Sequence, residues 1–316
     1  MRDAGLLLAL AVLALASLTL GARGPISPVG PWGDAARIVI LDMRLPRTIA
    51  AILAGGALGM AGAAIQTLTR NPLADPGLLG INAGAAFAIV LTIWLGGPAS
   101  GAGLVIPALG GALLAATAVV ALGSAAPGTL TLILAGAAVT AVLSALARAI
   151  ILVDSYALDA FRHWIVGAVD GTGWPDLGPA TPLIALGAAL LAPLTRPLDA
   201  LGLGEDAARA LGIGVGPTRA AILLAVALLS AGAVLLAGPM GFAGLIAPHL
   251  ARMGGADRSA ALIRRAGLIG AALVVAADLA GRLILPGTVI EAGLGVALIG
   301  GPFLVWLVRR DARALA

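Results

Sequence analysis

The amino-acid sequence predicts an all-α polytopic membrane protein of about ten transmembrane helices. Of its 316 residues, 60% are hydrophobic and only 11% charged, with a mean hydropathy of +1.08. A soluble domain carries roughly 25% charge. Glycine reaches 45 residues while aromatics stay at 3%. Small side chains let helix backbones approach closely in lipid, where the hydrophobic effect no longer drives helices together. The apolar stretches are continuous and end at Gly/Pro or charge clusters. A β-barrel would instead show alternating segments of about ten residues.

Taken in order, the expected spans are 5–23, 46–68, 78–96, 103–123, 129–152, 181–195, 220–237, 241–253, 267–285 and 289–308. They form one membrane domain, residues 1–316. The second span opens on Pro46, which suits a first helical turn, and carries Gly55, Gly56, Gly59 and Gly62 as a smooth packing face. RNPLADPG (70–77) ends it, because its two prolines cannot continue a helix; Asn71 and Asp75 are good turn formers, and this turn is expected at the cytoplasmic mouth. The spacing Gly56, Gly59, Gly62, Arg70 recurs as Gly238, Gly241, Gly244, Arg252, a candidate internal repeat. Residues 154–182 form a long outer connection in which DAFRHWIVG suits a short interfacial helix. On the ninth span Asp278 and Arg282 stand four apart, the spacing of a helical ion pair. With the N-terminus inside, the inner loops and tails hold twice as many arginines as the outer ones. Both termini are therefore expected in the cytoplasm.

All 19 basic residues are arginine and there is no cysteine. Without lysine there is no Walker A loop and no Schiff base. Without cysteine there is no thiolate metal site. His163 and His249 fall on opposite sides of the membrane and cannot share an ion, so no metal site is expected. The scattered arginines mark span ends, and no nucleic-acid surface is expected.

One stretch looks soluble: GLGEDAARALGIGVGPTR, residues 202–219. Good helix formers run from Glu205 to Leu211, Glu205 and Arg209 have ion-pair spacing, and Gly204 and Gly212 bound the piece. Two turns are marginal alone, so a partner surface is expected to hold it.

Together, RLPR, RNPLADPGLLGINAGAA, LGLGEDAARALGIGV, GPMGFAGLIAPHLAR and ALIGGPFLVWLV resemble, in order and over nearly the whole chain, the FecCD permeases of type II ATP-binding-cassette importers for iron-siderophores, haem and cobalamin. The resemblance implies a non-enzymatic subunit of a bacterial cytoplasmic membrane that binds no cofactor. It would dimerise with a second copy or a paralogue and receive cargo from an extracytoplasmic binding protein. Two ATPase subunits using ATP and Mg would drive it. It makes the segment 199–216 a coupling element seated on an ATPase, through Gly204, Glu205, Ala208, Arg209, Leu211 and Gly212. Arg44, Arg47 and Arg282 become docking groups for the binding protein, with Asp42 as a possible local partner. Asn71, Pro72, Asp75, Arg148 and Arg162 become gate or pathway residues. YALDAFRHWIVGAVDGTGW is more similar to the siderophore branch than to haem or cobalamin permeases. From another class stands a secondary transporter driven by protons through Asp278 and Glu291.

Overall fold

The computed structural model describes residues 2–21, 33–77, 80–98, 101–123, 129–153, 166–284 and 289–314. Among them every regular element is helical: α1 (Arg2–Thr19), α2 (Asp34–Ile38), a π-helical turn (Val39–Arg44), α3 (Leu45–Thr69), α4 (Ile81–Trp94), a 3-10 turn (Gly101–Leu104), α5 (Val105–Gly123) and α6 (Thr129–Val153). There follow α7 (Trp174–Leu191), α8 (Thr195–Leu203), α9 (Glu205–Ala210), α10 (Val215–Ala237), α11 (Ala243–Met253), α12 (Ser259–Leu283) and α13 (Ala292–Ala314).

Each of the ten expected spans is matched by a helix, but several limits move. The second span starts at Asp34, not Pro46, and runs 36 residues. Pro46 inside it donates no backbone hydrogen bond and crowds the carbonyl four residues earlier; the wider π turn just before it relieves both. The sixth span begins at Trp174, so the end of the supposed outer loop is helical, and it continues as α8 after a 59° bend at 192–194. At 11 residues, α11 is about 16 Å long and reaches only halfway through a bilayer core.

α3 is the central helix, packed on α12, α10 and α11. Its glycines let backbones touch. A Cβ on Gly55 would lie 2.3 Å from the Gly270 carbonyl oxygen, one on Gly59 2.1 Å from that of Ala266, and one on Gly62 1.9 Å from that of Gly244. These three positions line one stripe of the helix. The expected repeat is not a structural one: Gly56, Gly59 and Gly62 lie in mid-helix, whereas Gly238 and Gly241 lie in the turn between α10 and α11. The two stretches face each other instead, Gly62 against Gly244 and Arg252 donating to Gln66 Oε1 at 2.5 Å. A second layer forms from α7 on α10 and from α4, α5 and α6, where Gly84 meets the Gly111 carbonyl.

α1 lies against α12 and is tied at both ends. Asp3 pairs with Arg264 and Arg265, each at 2.6 Å. At the opposite end, Arg44 donates to the carbonyls of Leu18 and Thr19 at 2.9 and 2.8 Å, satisfying acceptors that the last helical turn leaves open. The bundle thus has an arginine-rich end, where α3 finishes and α12 begins, and an Asp278 end, where α12 finishes.

Gly62→Ala is expected to lower the melting temperature in detergent, with an overpacking cost of about 1–3 kcal/mol. Gly56→Ala, whose nearest neighbour would be 3.6 Å away, should stay within about 0.5 kcal/mol of the parent. Equal melting of the two variants would show that the close backbone approach is not what holds α3.

Candidate functional site

Three places carry polar chemistry: a cavity within the bundle, the α8–α9 elbow at the arginine-rich end, and a charged cluster at the Asp278 end.

The cavity, of about 300 Å³, lies between α4, α6 and two turns, with Asp75, Asn82, Ser144, Arg148 and Met240 among its lining residues. The 70–80 turn builds its floor. Arg70 ends α3 in the left-handed conformation (φ 51°), and the chain doubles back. Asn71 and Asp75 accept from the amides of Leu73 and Gly77 at 2.9 and 2.7 Å, the local turns expected of them. The turn does not stop at the mouth, however. Asp75 is buried against Gly244, level with the middle of α3. Thr140 of α6 donates to the Gly77 carbonyl at 3.2 Å, and α4 therefore begins deep in the bundle. Pro72 stays outside, lining a polar cleft of about 380 Å³ with Arg70, Arg252 and Asp199. The expected gate turn joins this cleft to the cavity that Arg148 borders. Arg162 lies outside the described residues. Asn82 went unremarked in the sequence; its amide donates to the Met240 carbonyl at 3.2 Å and pins the start of α4 to the α10–α11 turn.

At the elbow, α9 is the two-turn helix its sequence predicts. Gly204 at φ 123° reverses the chain before it and Gly212 at φ 76° after it, both left-handed values that favour glycine. Glu205 pairs with Arg209 at 2.8 Å and with Arg219 at 2.5 Å. The hydrogen bond and charge of Arg219, with a smaller contribution from Arg209, hold the Glu205 carboxyl below its usual value. These ties are therefore present at neutral pH and weaken only as pH falls through that lowered value. Ala208 requires a correction. It is 0% exposed and packed within the chain, so α8 and α10, which contact α9, hold the helix from behind. Ala208 therefore does not face outward. Leu211, 66% exposed, does, together with Arg209 and a neighbour that the sequence did not single out, Leu203, 76% exposed.

The Asp278 end corrects a second expectation. Arg44 and Arg282 are only 7% and 5% exposed, so they are not surface charges waiting for a partner. Arg282 pairs with Asp278 at 2.9 Å, as the spacing predicted, and also donates to Ser17 Oγ at 2.6 Å. Arg47 pairs with Asp278 at 2.6 Å and, on its outer side, with Asp170. Asp42 is exposed and is not the partner that the sequence offered for either arginine. Two arginines, Arg47 and Arg282, thus meet Asp278 and the half-exposed Asp170, with Glu291 within electrostatic range of Arg47, and such pairing is how charged groups persist at membrane depth. Arg47, whose side chain is 11% exposed, is the one docking candidate with an edge toward the surface. Local spacing could not have disclosed Ser17 or Asp170, which are 265 and 123 residues from their partners.

The FecCD transport family matches residues 6–310. The ferric enterobactin transport system permease protein FepD of Escherichia coli is 44% identical across 98% of this chain and 95% of its own length. The chain belongs to the FecCD transport family. Among other relatives, the vitamin B12 import system permease protein BtuC of Klebsiella pneumoniae is 35% identical across 97% of this chain and 93% of its own. The structure of a transporter described as of the metal-chelate ABC type, in an inward-facing conformation, superposes with a TM-score of 0.85 at 28% identity, covering 98% of this chain and 99% of that one. The FecCD fold is thus shared from α1 to α13.

Asp278→Asn should cost about 3–5 kcal/mol, because it strands Arg47 and Arg282 in the interior. Asp170→Asn, at the exposed edge, should cost less than about 1 kcal/mol. Denaturant unfolding in detergent checks both. Equal costs would mean that the cluster is held from the surface, not from α12.

Proposed function

We propose that the chain is the permease subunit of an ATP-binding-cassette importer that passes a ferric siderophore from an extracytoplasmic binding protein to the cytoplasm. It would sit in the bacterial cytoplasmic membrane with its arginine-rich end inside, paired with a second copy or a paralogue and driven by two ATPase subunits. The observation that carries the reading is the match to FepD across nearly the full length of both chains. The α8–α9 elbow supports the ATPase partnership: it lies at the arginine-rich end, and Leu203 and Leu211 leave apolar side chains exposed there. Haem and cobalamin remain the neighbouring cargo classes, since BtuC is also a relative. Iron would enter already chelated, as cargo.

A proton-driven transporter is the weaker reading. Asp278 lies between two guanidiniums at 2.6 and 2.9 Å, so the acid that this reading needs is already engaged in holding Arg47 and Arg282 within the bundle.

Reconstituted vesicles holding the chain, its ATPase and its binding protein should take up ferric siderophore only with ATP inside. Uptake driven by a pH gradient without the ATPase would overturn the proposal. Replacing Leu203 and Leu211 together by Asp should abolish co-purification of the ATPase at unchanged permease yield, since both side chains are exposed. Retention of the ATPase would remove the elbow from the interface.

A further inference from the structure

The elbow is joined to the bundle by a contact that the coupling segment alone does not contain. Asp199, on α8, reaches across the polar cleft and accepts the Ser259 amide of α12 through Oδ1 at 2.8 Å. Ser259 is the first residue of α12 and is buried. The residue before it, Arg258, is extended (φ −95°, ψ 143°) and supplies no side-chain cap. The open amide at the start of α12 is thus capped by a residue 60 positions away in sequence, where a local Ser, Thr, Asp or Asn normally does the work. α12 is no ordinary target. Its 25 residues extend about 37 Å, it meets α3 backbone to backbone at Gly55 and Gly59, and it ends at Asp278 and Arg282. Around the same cleft, α8 contacts α3 and α10, and Arg70, where the gate turn begins, lies beside Gly204.

We infer that Asp199 is a positioning residue for transport: its cap on α12 fastens the elbow to a helix that runs from the ATPase side to the opposite face, so that displacement of the elbow is carried to α12 and not dissipated in the cleft. This rests on the importer reading above. The side chain points into the protein, away from the exposed Leu203 and Leu211, and its task is separable from holding the ATPase. What the task needs is an acceptor oxygen at one place. The negative charge adds the favourable interaction that an anion gains at a helix N-terminus, but the hydrogen bond itself needs only the acceptor, because the donor is a backbone amide.

Three variants in the complete complex test this. Asp199→Asn keeps an acceptor at the same reach. Asp199→Ala removes it. Asp199→Glu keeps acceptor and charge but displaces them by one methylene. All three should retain the ATPase in the wild-type ratio. Asn should transport at half the wild-type rate or better. Ala and Glu should fall at least tenfold, and their ATP hydrolysis should no longer respond to the loaded binding protein. A purely structural cap would predict loss of yield or of the ATPase in step with loss of transport. Wild-type transport by Ala or Glu, or an Asn variant as impaired as Ala, would overturn the inference. If Ala does not accumulate, Asn against Glu decides it. Failure of the unmodified chain to bind any ATPase would instead sink the importer reading.

Discussion

In lipid, helices gain nothing hydrophobic by leaving the bilayer for one another, so a bundle must be held by contact quality. In this chain that contact is the approach of α3 to α11 and α12. Gly55, Gly59 and Gly62 remove the side chains that would keep the helices apart, and carbonyls of the facing helices occupy the space where Cβ atoms would stand. The consequences spread outward. Because α3 and α12 touch, Arg47 and Asp278 can pair across them. Because α11 lies on the same stripe, Gly244 leaves room for Asp75, and the 70–80 turn can fold back into the bundle. The floor of the cavity is therefore set by the same glycines that set the core.

The ten apolar runs were legible because membrane spans are read from length and composition, and the glycine face because its spacing follows the helical period. The pairing of Asp278 with Arg282 was legible for the same reason. What the sequence concealed lies between segments far apart in the chain. Ser17, Asp170 and Asp199 are ordinary residues until the fold brings Arg282, Arg47 and the Ser259 amide to them. Ala208 was assigned to the wrong face because a two-turn helix has no long periodic pattern to distinguish inside from outside. Only the neighbours α8 and α10 decide it. The extra helical turns at Asp34 and Trp174 are hidden because prolines at 46, 175, 179 and 182 read locally as breakers, whereas Pro46 follows a π widening, Pro175 lies in a first turn, and Pro179 and Pro182 are carried inside α7.

Both ends of α12 are fastened, but in different ways. At the Asp278 end the ties are ionic and buried, each arginine sharing acceptors with its neighbours. Removing one member leaves the others uncompensated, so that end behaves as a unit. At the arginine-rich end the polar ties lie beside water: Asp199 to Ser259, Asp3 to Arg264 and Arg265, and Arg265 to the Gly254 and Gly255 carbonyls. Exposed ion pairs contribute little to stability and are easily remade. A helix built this way is held by buried ionic ties at one end and by polar ties open to water at the other. The second end is where the elbow lies.

The exclusive use of arginine acquires a physical reason at the Asp278 end. Arg47 divides its guanidinium between Asp278 and Asp170, Arg282 between Asp278 and Ser17, and Arg44 between two carbonyls closing α1. Arg47 spans its two carboxylates with different nitrogens, Nη1 toward Asp170 and Nε with Nη2 toward Asp278, whereas Arg44 and Arg282 each concentrate their two named contacts on one nitrogen. A lysine ammonium is compact and more strongly hydrated, and burying it costs more for every acceptor it satisfies. At Arg47 the charge balance would survive exchange for lysine but the geometry would not, because a compact ammonium cannot hold Asp278 and Asp170 from the two sides that the planar fork reaches. Arg47 is therefore set by shape as well as charge.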